Sequence, residues 1–277
     1  SSSSIAFAVF AVLGCVIRQF VFPGMLGSDP AQFAESLFGS VTMGNGQFCT
    51  CPSMVFIPEG DDLSKMSERY LELVGESQGA ALLNPGIANA FSQGIDQWKA
   101  IEGVEVLAEG SLEGTEVGAA PDVAKVSLED FMKNSEPFMH EVFGPSTMFV
   151  VCPDKESFVE ASDVFDGQLG SSIHCSEDEI GAASDLISKI GQFSGRVCIN
   201  SFPTGIEVCD SVHHGGPYPA TTDAQHTSIG TAGISRWGRP ISFQGTPDEL
   251  LPDELKSGNP LGLMRLVDGT WTRDAVS

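Results

Sequence analysis

The chain has 277 residues, 42% of them hydrophobic, which is enough to bury a sizeable core in one large or two ordinary domains. Its 37 acidic residues against 14 basic ones give a formal charge of −23. That balance excludes a nucleic-acid partner, because phosphate binding needs clustered Lys and Arg and no basic run exists.

The opening residues carry an apolar run from Ile5 to Ile17 inside an atypical leader, residues 1–19. The run is too short to span a bilayer, so no membrane association is expected. It lacks the initiating Met and basic start of a signal peptide, and a buried strand is the plainer expectation. Next, the spacing of Phe33, Leu37, Phe38 and Val41 predicts a helix capped by Asp29. "SMVFIPEG" reads as a short strand, and Leu63, Met66, Tyr70 and Val74 predict a second helix. "GIANAFSQGIDQWKAI" reads as a helix weakened by its internal glycine, and "VEVLAEG" as a strand. "STMFVVC" is a buried strand, followed by an acidic-started helix in "DKESFVEASDVF" and a strand in "QLGSSIHC". Ser176 with Glu179 three residues on signals a capping box at the head of a further helix, and "GRVCINSF" is a strand. Strand and helix alternating at this spacing predict an α/β fold with a mainly parallel sheet flanked by helices. From "FPTG" onward Gly, Pro, Thr and His dominate, which predicts a loop-rich C-terminal segment over residues 216–277 after a catalytic-sized α/β domain over 20–215. A short helix and a last strand are expected within "TSIGTAGISRWGRPISFQ".

Seven cysteines, an odd number, with three of them in apolar strand-like runs, match free thiols in a reducing compartment: the cytoplasm or an organelle matrix. "GNGQFCTCPS" places Cys49 and Cys51 one residue apart. No second cysteine pair completes a zinc set, so no metal is expected, and a disulfide across one residue would be strained. Glycine-rich chain before Cys49 leaves amides free to face an oxyanion. From the residues alone, a nucleophile and a packed thiol both fit Cys49.

"GNGQFCT" resembles the catalytic-cysteine motif of the aldehyde dehydrogenase superfamily, and "HEVFGPSTMFVV" its glutamate followed by Phe-Gly-Pro. The stretch from Phe202 through "HHGGPYPATTD" to the closing "NPLGLMRLVDG" is similar to one branch, the NADP-preferring α-ketoglutarate semialdehyde (2,5-dioxovalerate) dehydrogenases. The likeness runs from about Phe20 to the end. It implies oxidation of an aldehyde, a small semialdehyde in this branch, to a carboxylic acid with NADP or NAD. Cys49 would be the nucleophile that forms first a thiohemiacetal and then a thioester. Glu141 would accept from the nicotinamide ribose hydroxyls and Phe143 would pack near the nicotinamide. Phe48, His213 and His214 would line the aldehyde pocket, where the two histidines serve equally well as pocket walls or as loop-orienting groups. Self-association into a homo-oligomer is a further implication.

Two departures from the family pattern bear on this. Aligned on Pro23-Gly24, the family's general-base glutamate falls on Val12, which cannot take a proton, and its asparagine and proline fall on Ile17 and Arg18. No GxGxxG-type fingerprint precedes a helix. The expectation is therefore the C-terminal, catalytic-domain part of a dehydrogenase with the N-terminal cofactor-binding domain largely absent. The alternatives are a catalytically incompetent relic or interaction fragment, and a cysteine hydrolase pairing Cys49 with a histidine such as His213.

Overall fold

The computed structural model describes residues 15–276. Val12 and most of the apolar leader lie outside that range. The elements run β1 (Ile17–Val21), α1 (Pro23–Ser28), α2 (Pro30–Thr42), β2 (Pro52–Pro58), α3 (Asp61–Glu76), β3 (Ala80–Ala81) and α4 (Pro85–Ala100). There follow β4 (Glu105–Glu109), β5 (Gly118–Ala119), β6 (Asp122–Ser127), α5 (Leu128–Lys133), β7 (Ser146–Cys152), α6 (Ser157–Ala161), β8 (Ser171–His174), α7 (Ile180–Phe193) and β9 (Val197–Ile199). A hairpin of β10 (Arg265–Val267) and β11 (Thr270–Thr272) comes last.

Seven strands form one sheet in the order β4-β6-β7-β2-β1-β8-β9. Every neighbouring pair is parallel except β4 with β6 at one edge. The expected mainly parallel sheet is thus observed, with an antiparallel edge strand. Burial on both sides makes the central strands continuous apolar runs: all seven residues of β2 are buried, and all five of β1. Alternate residues serve opposite layers. Phe20, Met54, Phe56, Met148 and Val150 pack with residues of α4, α5, α6 and α7, while Val21, Val55, Ile57 and Phe149 pack with α2 and α3. The first layer is aromatic-rich, with Phe20 stacked on Phe56 at 5.0 Å and Phe131 and Phe165 edge-on to Phe56.

The expected helices form where their caps stand. Asp29 accepts from the backbone of Gln32 at the head of α2, and the Ser176–Glu179 capping box closes the turn leading into α7. The internal Gly94 does not break α4. The helix packs tightly there on the chain after Glu141, since a Cβ at Gly94 would lie 2.9 Å from Val142. Four expectations are redrawn. The helix after β7 lasts only from Ser157 to Ala161 before tightening into a 3-10 turn. Strand β6 was not foreseen, because its alternating "DVAKVS" is short and charged. The leader does not end at residue 19: Cys15 and Val16 are buried and β1 crosses that boundary into the middle of the sheet. The chain divides into compact units after Arg236 rather than at 215/216, so the loops over 216–236 belong with the sheet.

The second unit begins at Trp237. No strand forms near Pro240–Gln244 within it; the strands are the β10–β11 hairpin, turned at Asp268 and Gly269. The Asn259 side chain donates to the carbonyls of Leu263 and Arg273, and Arg265 donates to Lys256 and Ser257.

Candidate active site

The loop between α2 and β2 turns sharply through three left-handed residues, Gly44, Asn45 and Gly46, with φ of 57°, 55° and 69°. Asn tolerates this conformation, and its side chain explains its place: Nδ2 donates to the carbonyls of Ala80 and Ala119, tying the loop to the β3–β5 ladder. Gly46 is required twice over. Its φ is positive, and a Cβ would sit 2.1 Å from the carbonyl carbon of Gly144. Gln47 donates to the Gly44 carbonyl and accepts from the amide of Leu83. Thr50 lends its carbonyl to the Thr204 hydroxyl at 3.1 Å. The loop is therefore held from three directions, and it sets Cys49 at the amino end of β2.

Cys49 is half-buried, and its Sγ lies 3.2 Å from Nε2 of His214. His214 itself is buried. Its backbone amide donates to Thr227 Oγ1 at 2.9 Å, and its carbonyl accepts from both the amide and the hydroxyl of Ser228. Burial first, then the charge of Glu141, pushes the Cys49 thiol above its ordinary range. Burial first, then Arg196 and His213, pushes the His214 imidazole below its own. The two effects favour a neutral thiol beside a neutral imidazole.

Glu141 is a half-buried carboxyl whose charge is felt at Cys49, Cys51 and Cys15. Burial raises it to about 7, while the backbone amide of Cys15 donates to it and holds it back. Phe143, two residues on, is half-buried on the same loop. Phe48 is 38% exposed, with its ring against Gly44. Cys51 points the other way: it is buried, its Sγ faces the Val41 carbonyl at 3.6 Å, and burial pushes it up to about 12. Arg196 donates to the carbonyls of Pro203 and Gly205, and its charge reaches both Cys49 and His214.

Of the residues singled out in the sequence, Cys49, Glu141 and His214 converge. His213 touches the turn at Gly215 and perturbs His214, but is not the thiol's neighbour. Cys15 went unrecognised as part of the surroundings, whereas Arg196, one of three arginines that the sequence offers for a basic pocket mouth, does bring its charge to Cys49 and His214. Cys15 sits among leader residues with no motif, and only the placement of β1 beside β2 brings it to Cys49 and Glu141. No group of three or more His, Cys, Asp or Glu that could hold a metal occurs among the described residues.

A scan against family models matches none. The chain is 34% identical over 262 residues to alpha-ketoglutaric semialdehyde dehydrogenase 2 of Azospirillum brasilense, covering 94% of this chain and 50% of the relative. It is 32% identical over 265 residues to the alpha-ketoglutaric semialdehyde dehydrogenase of Acinetobacter baylyi, covering 96% and 50%. The chain belongs to the aldehyde dehydrogenase superfamily. It spans about half the length of the curated relatives it matches. Its fold is that of aldehyde dehydrogenase structures such as lactaldehyde dehydrogenase from Escherichia coli, with a TM-score of 0.63, 21% identity, and coverage of 81% of this chain and 46% of that one. A 3,6-anhydro-L-galactose dehydrogenase in complex with NAP gives a TM-score of 0.63 at 19% identity, covering 81% and 46%.

Proposed function

We propose that this aldehyde dehydrogenase chain carries the acyl-forming half of the reaction, with Cys49 attacking the carbonyl of a small semialdehyde that leaves as a carboxylic acid. The observation that supports this most directly is the half-buried thiol on a rigid loop, with His214 at 3.2 Å and Glu141 beside it. Attack by sulfur makes a tetrahedral thiohemiacetal, to whose oxygen the backbone amide of Cys49 would donate. Hydride transfer to a bound nicotinamide would leave a thioester, which water would cleave to release the acid and the thiol.

The residues present fit the ribose–nicotinamide end of a cofactor. A half-buried carboxyl with acceptor capacity beyond the single amide it receives suits vicinal hydroxyls, and the Phe143 ring two residues on suits a flat heterocycle. A nicotinamide held there would supply the hydride acceptor; NADP is favoured over NAD by the sequence branch. Glu141 and Phe143 would hold that end, and Cys49 would present the substrate to it. The semialdehyde class rests on the names of the two bacterial relatives and on Arg196, whose guanidinium charge at the thiol suits a substrate that ends in a carboxylate.

The test is acylation of the purified chain by 4-nitrophenyl acetate, located by mass spectrometry, alongside NADPH formation with α-ketoglutarate semialdehyde. Acyl label on Cys49 ahead of the other six thiols, together with aldehyde-dependent NADPH, supports the full reading. Acyl label on Cys49 without NADPH supports a chain that keeps the nucleophile and lacks hydride transfer. Acylation that bypasses Cys49 sinks the assignment.

A further inference from the structure

The two histidines of "HHGG" are adjacent in sequence and unequal in space. Only His214 reaches Cys49, and it does so with Nε2, at the separation of a thiol donating to an imidazole nitrogen. Its main chain is fixed by Thr227 and Ser228, so the ring is placed by backbone contacts rather than by a loose side chain. It is buried, and so is screened from competing water. Among the described residues, no other basic side chain is seen at hydrogen-bond distance from the thiol.

We propose that His214 is the general base of the Cys49 chemistry, a catalytic residue that takes the thiol proton as sulfur attacks. The inference rests on Cys49 being the nucleophile. In the first step the S–H proton passes to Nε2, the S–C bond forms, and the carbonyl becomes tetrahedral. With 4-nitrophenyl acetate the C–O bond then breaks, 4-nitrophenolate leaves as the anion, and the imidazolium returns its proton to solvent. In the second step a water oxygen attacks the thioester while its proton passes to Nε2. The sulfur leaves and recovers that proton, and acetic acid departs. No redox partner enters either step. A base is needed at neutral pH because the thiol holds its proton there, and a neutral imidazole is available because its own proton affinity is depressed.

The charged and titratable groups around the pair are Glu141, Arg196 and Cys15 facing Cys49, and Arg196 and His213 facing His214. Glu141 titrates near 7, inside the range of interest, so the pH profiles are to be taken in a Glu141→Gln background as well. The experiment is the pre-steady-state burst of 4-nitrophenolate from the full chain, the His214→Gln variant and the Cys49→Ser variant, from pH 5 to 10. The acyl site is read by mass spectrometry after acid quench. In the parent, the burst rate should climb to a plateau with a midpoint below the imidazole's ordinary 6.5. In His214→Gln it should fall roughly 10²- to 10⁴-fold at pH 7.5. Its climb should then continue past a thiol's ordinary 9.0, since burial and then the charge of Glu141 push Cys49 above that value, and added imidazole should recover part of the rate. Continued protection of buried Cys152 and Cys175 from iodoacetamide checks that the variant remains folded and comparable.

A His214→Gln burst at the parent rate with the parent profile, still on Cys49, overturns the base and leaves the nucleophile standing. A midpoint that disappears with Glu141→Gln and not with His214→Gln assigns the base to Glu141 and overturns this proposal. A burst that survives Cys49→Ser overturns the nucleophile, and the base with it.

Discussion

Two neighbouring stretches treat buried polar groups in opposite ways. In the loop over residues 44–50, the Asn45 side-chain nitrogen, the nitrogen and oxygen of the Gln47 side chain and the carbonyl of Thr50 have partners in the surrounding chain. In β1, Arg18 and Gln19 are completely buried, yet Nε and Nη1 of Arg18 and Nε2 of Gln19 find no acceptor. Arg18 makes do with the Phe165 ring 3.9 Å from its guanidinium carbon and the Met139 sulfur, and burial drags it down to about 9. The loop is over-determined, as a loop must be if it holds a nucleophile to a fraction of an ångström. The strand spends packing energy to keep a poorly served cation in the middle of the sheet.

The contrast breaks first at Gly46. Gly46→Ala drives a Cβ into the Gly144 backbone and forces a left-handed alanine, at a cost of about 2–4 kcal/mol in urea unfolding. It should also slow acylation of Cys49, since the loop must move to relieve the clash. A variant with parent stability would show that the loop is adaptable after all. Arg18→Met tests the other side with the opposite sign. Removing a buried charge with unmet donors should stabilise by about 1–3 kcal/mol, raising Tm by about 2–4 °C for each kcal/mol. A loss of stability would mean that the Phe165 and Met139 contacts outweigh the desolvation of the guanidinium.

Titration sharpens the comparison next. Glu141 has its folded pKa raised from 4.5 to about 7, so the folded chain binds more protons than the unfolded one between those values. Stability from this group is present at low pH and falls as pH rises through that window. Glu141→Gln should therefore gain Tm relative to the parent at pH 8 and lose that advantage at pH 4.5. Buried His174, lowered to about 4, works the other way: the unfolded chain binds the extra proton, and stability is lost as pH falls from 6.5 toward 4. A thermal-denaturation series across pH in both proteins separates the two. The smallest effect is expected at Cys51→Ala, about 1 kcal/mol from the lost packing of a buried thiol, with the Cys49 burst unchanged.

The sequence showed its helices where caps and apolar faces agreed, as at Asp29 and at Ser176 with Glu179. It showed its strands where an apolar run stood between breakers, as at Ser146–Cys152. It hid β6, whose lysine and aspartate dilute the pattern; a buried strand was legible in the apolar opening, but Arg18 and Gln19 interrupt the run and obscured where β1 lies. The β10–β11 hairpin could have been found: Asp268-Gly269 between "RLV" and "TWT" is a strong two-residue turn signal, and both residues take positive φ. Around the proposed site, the motifs singled out Cys49 and Glu141, which the fold brings near each other. The choice of His214 over His213 was not legible, because adjacent residues differ only in the direction the backbone gives them. Cys15 carried no signal at all, since its place beside Glu141 depends on strand order rather than on any local pattern.

The central position of β1 sets the order in which the chain can be assembled on the ribosome. β1 precedes every other strand described here, yet one of its two neighbours is β8, about 150 residues later. At roughly 5–20 residues per second, the ribosome takes about 8–30 s to deliver it. Through that interval β1 has β2 but not β8 of its two sheet neighbours, so the ladder on its β8 side lacks its native partner. The nascent half-sheet is the species that a holding chaperone would meet, and crowding of several such chains is the route by which overproduction would turn this protein into aggregate.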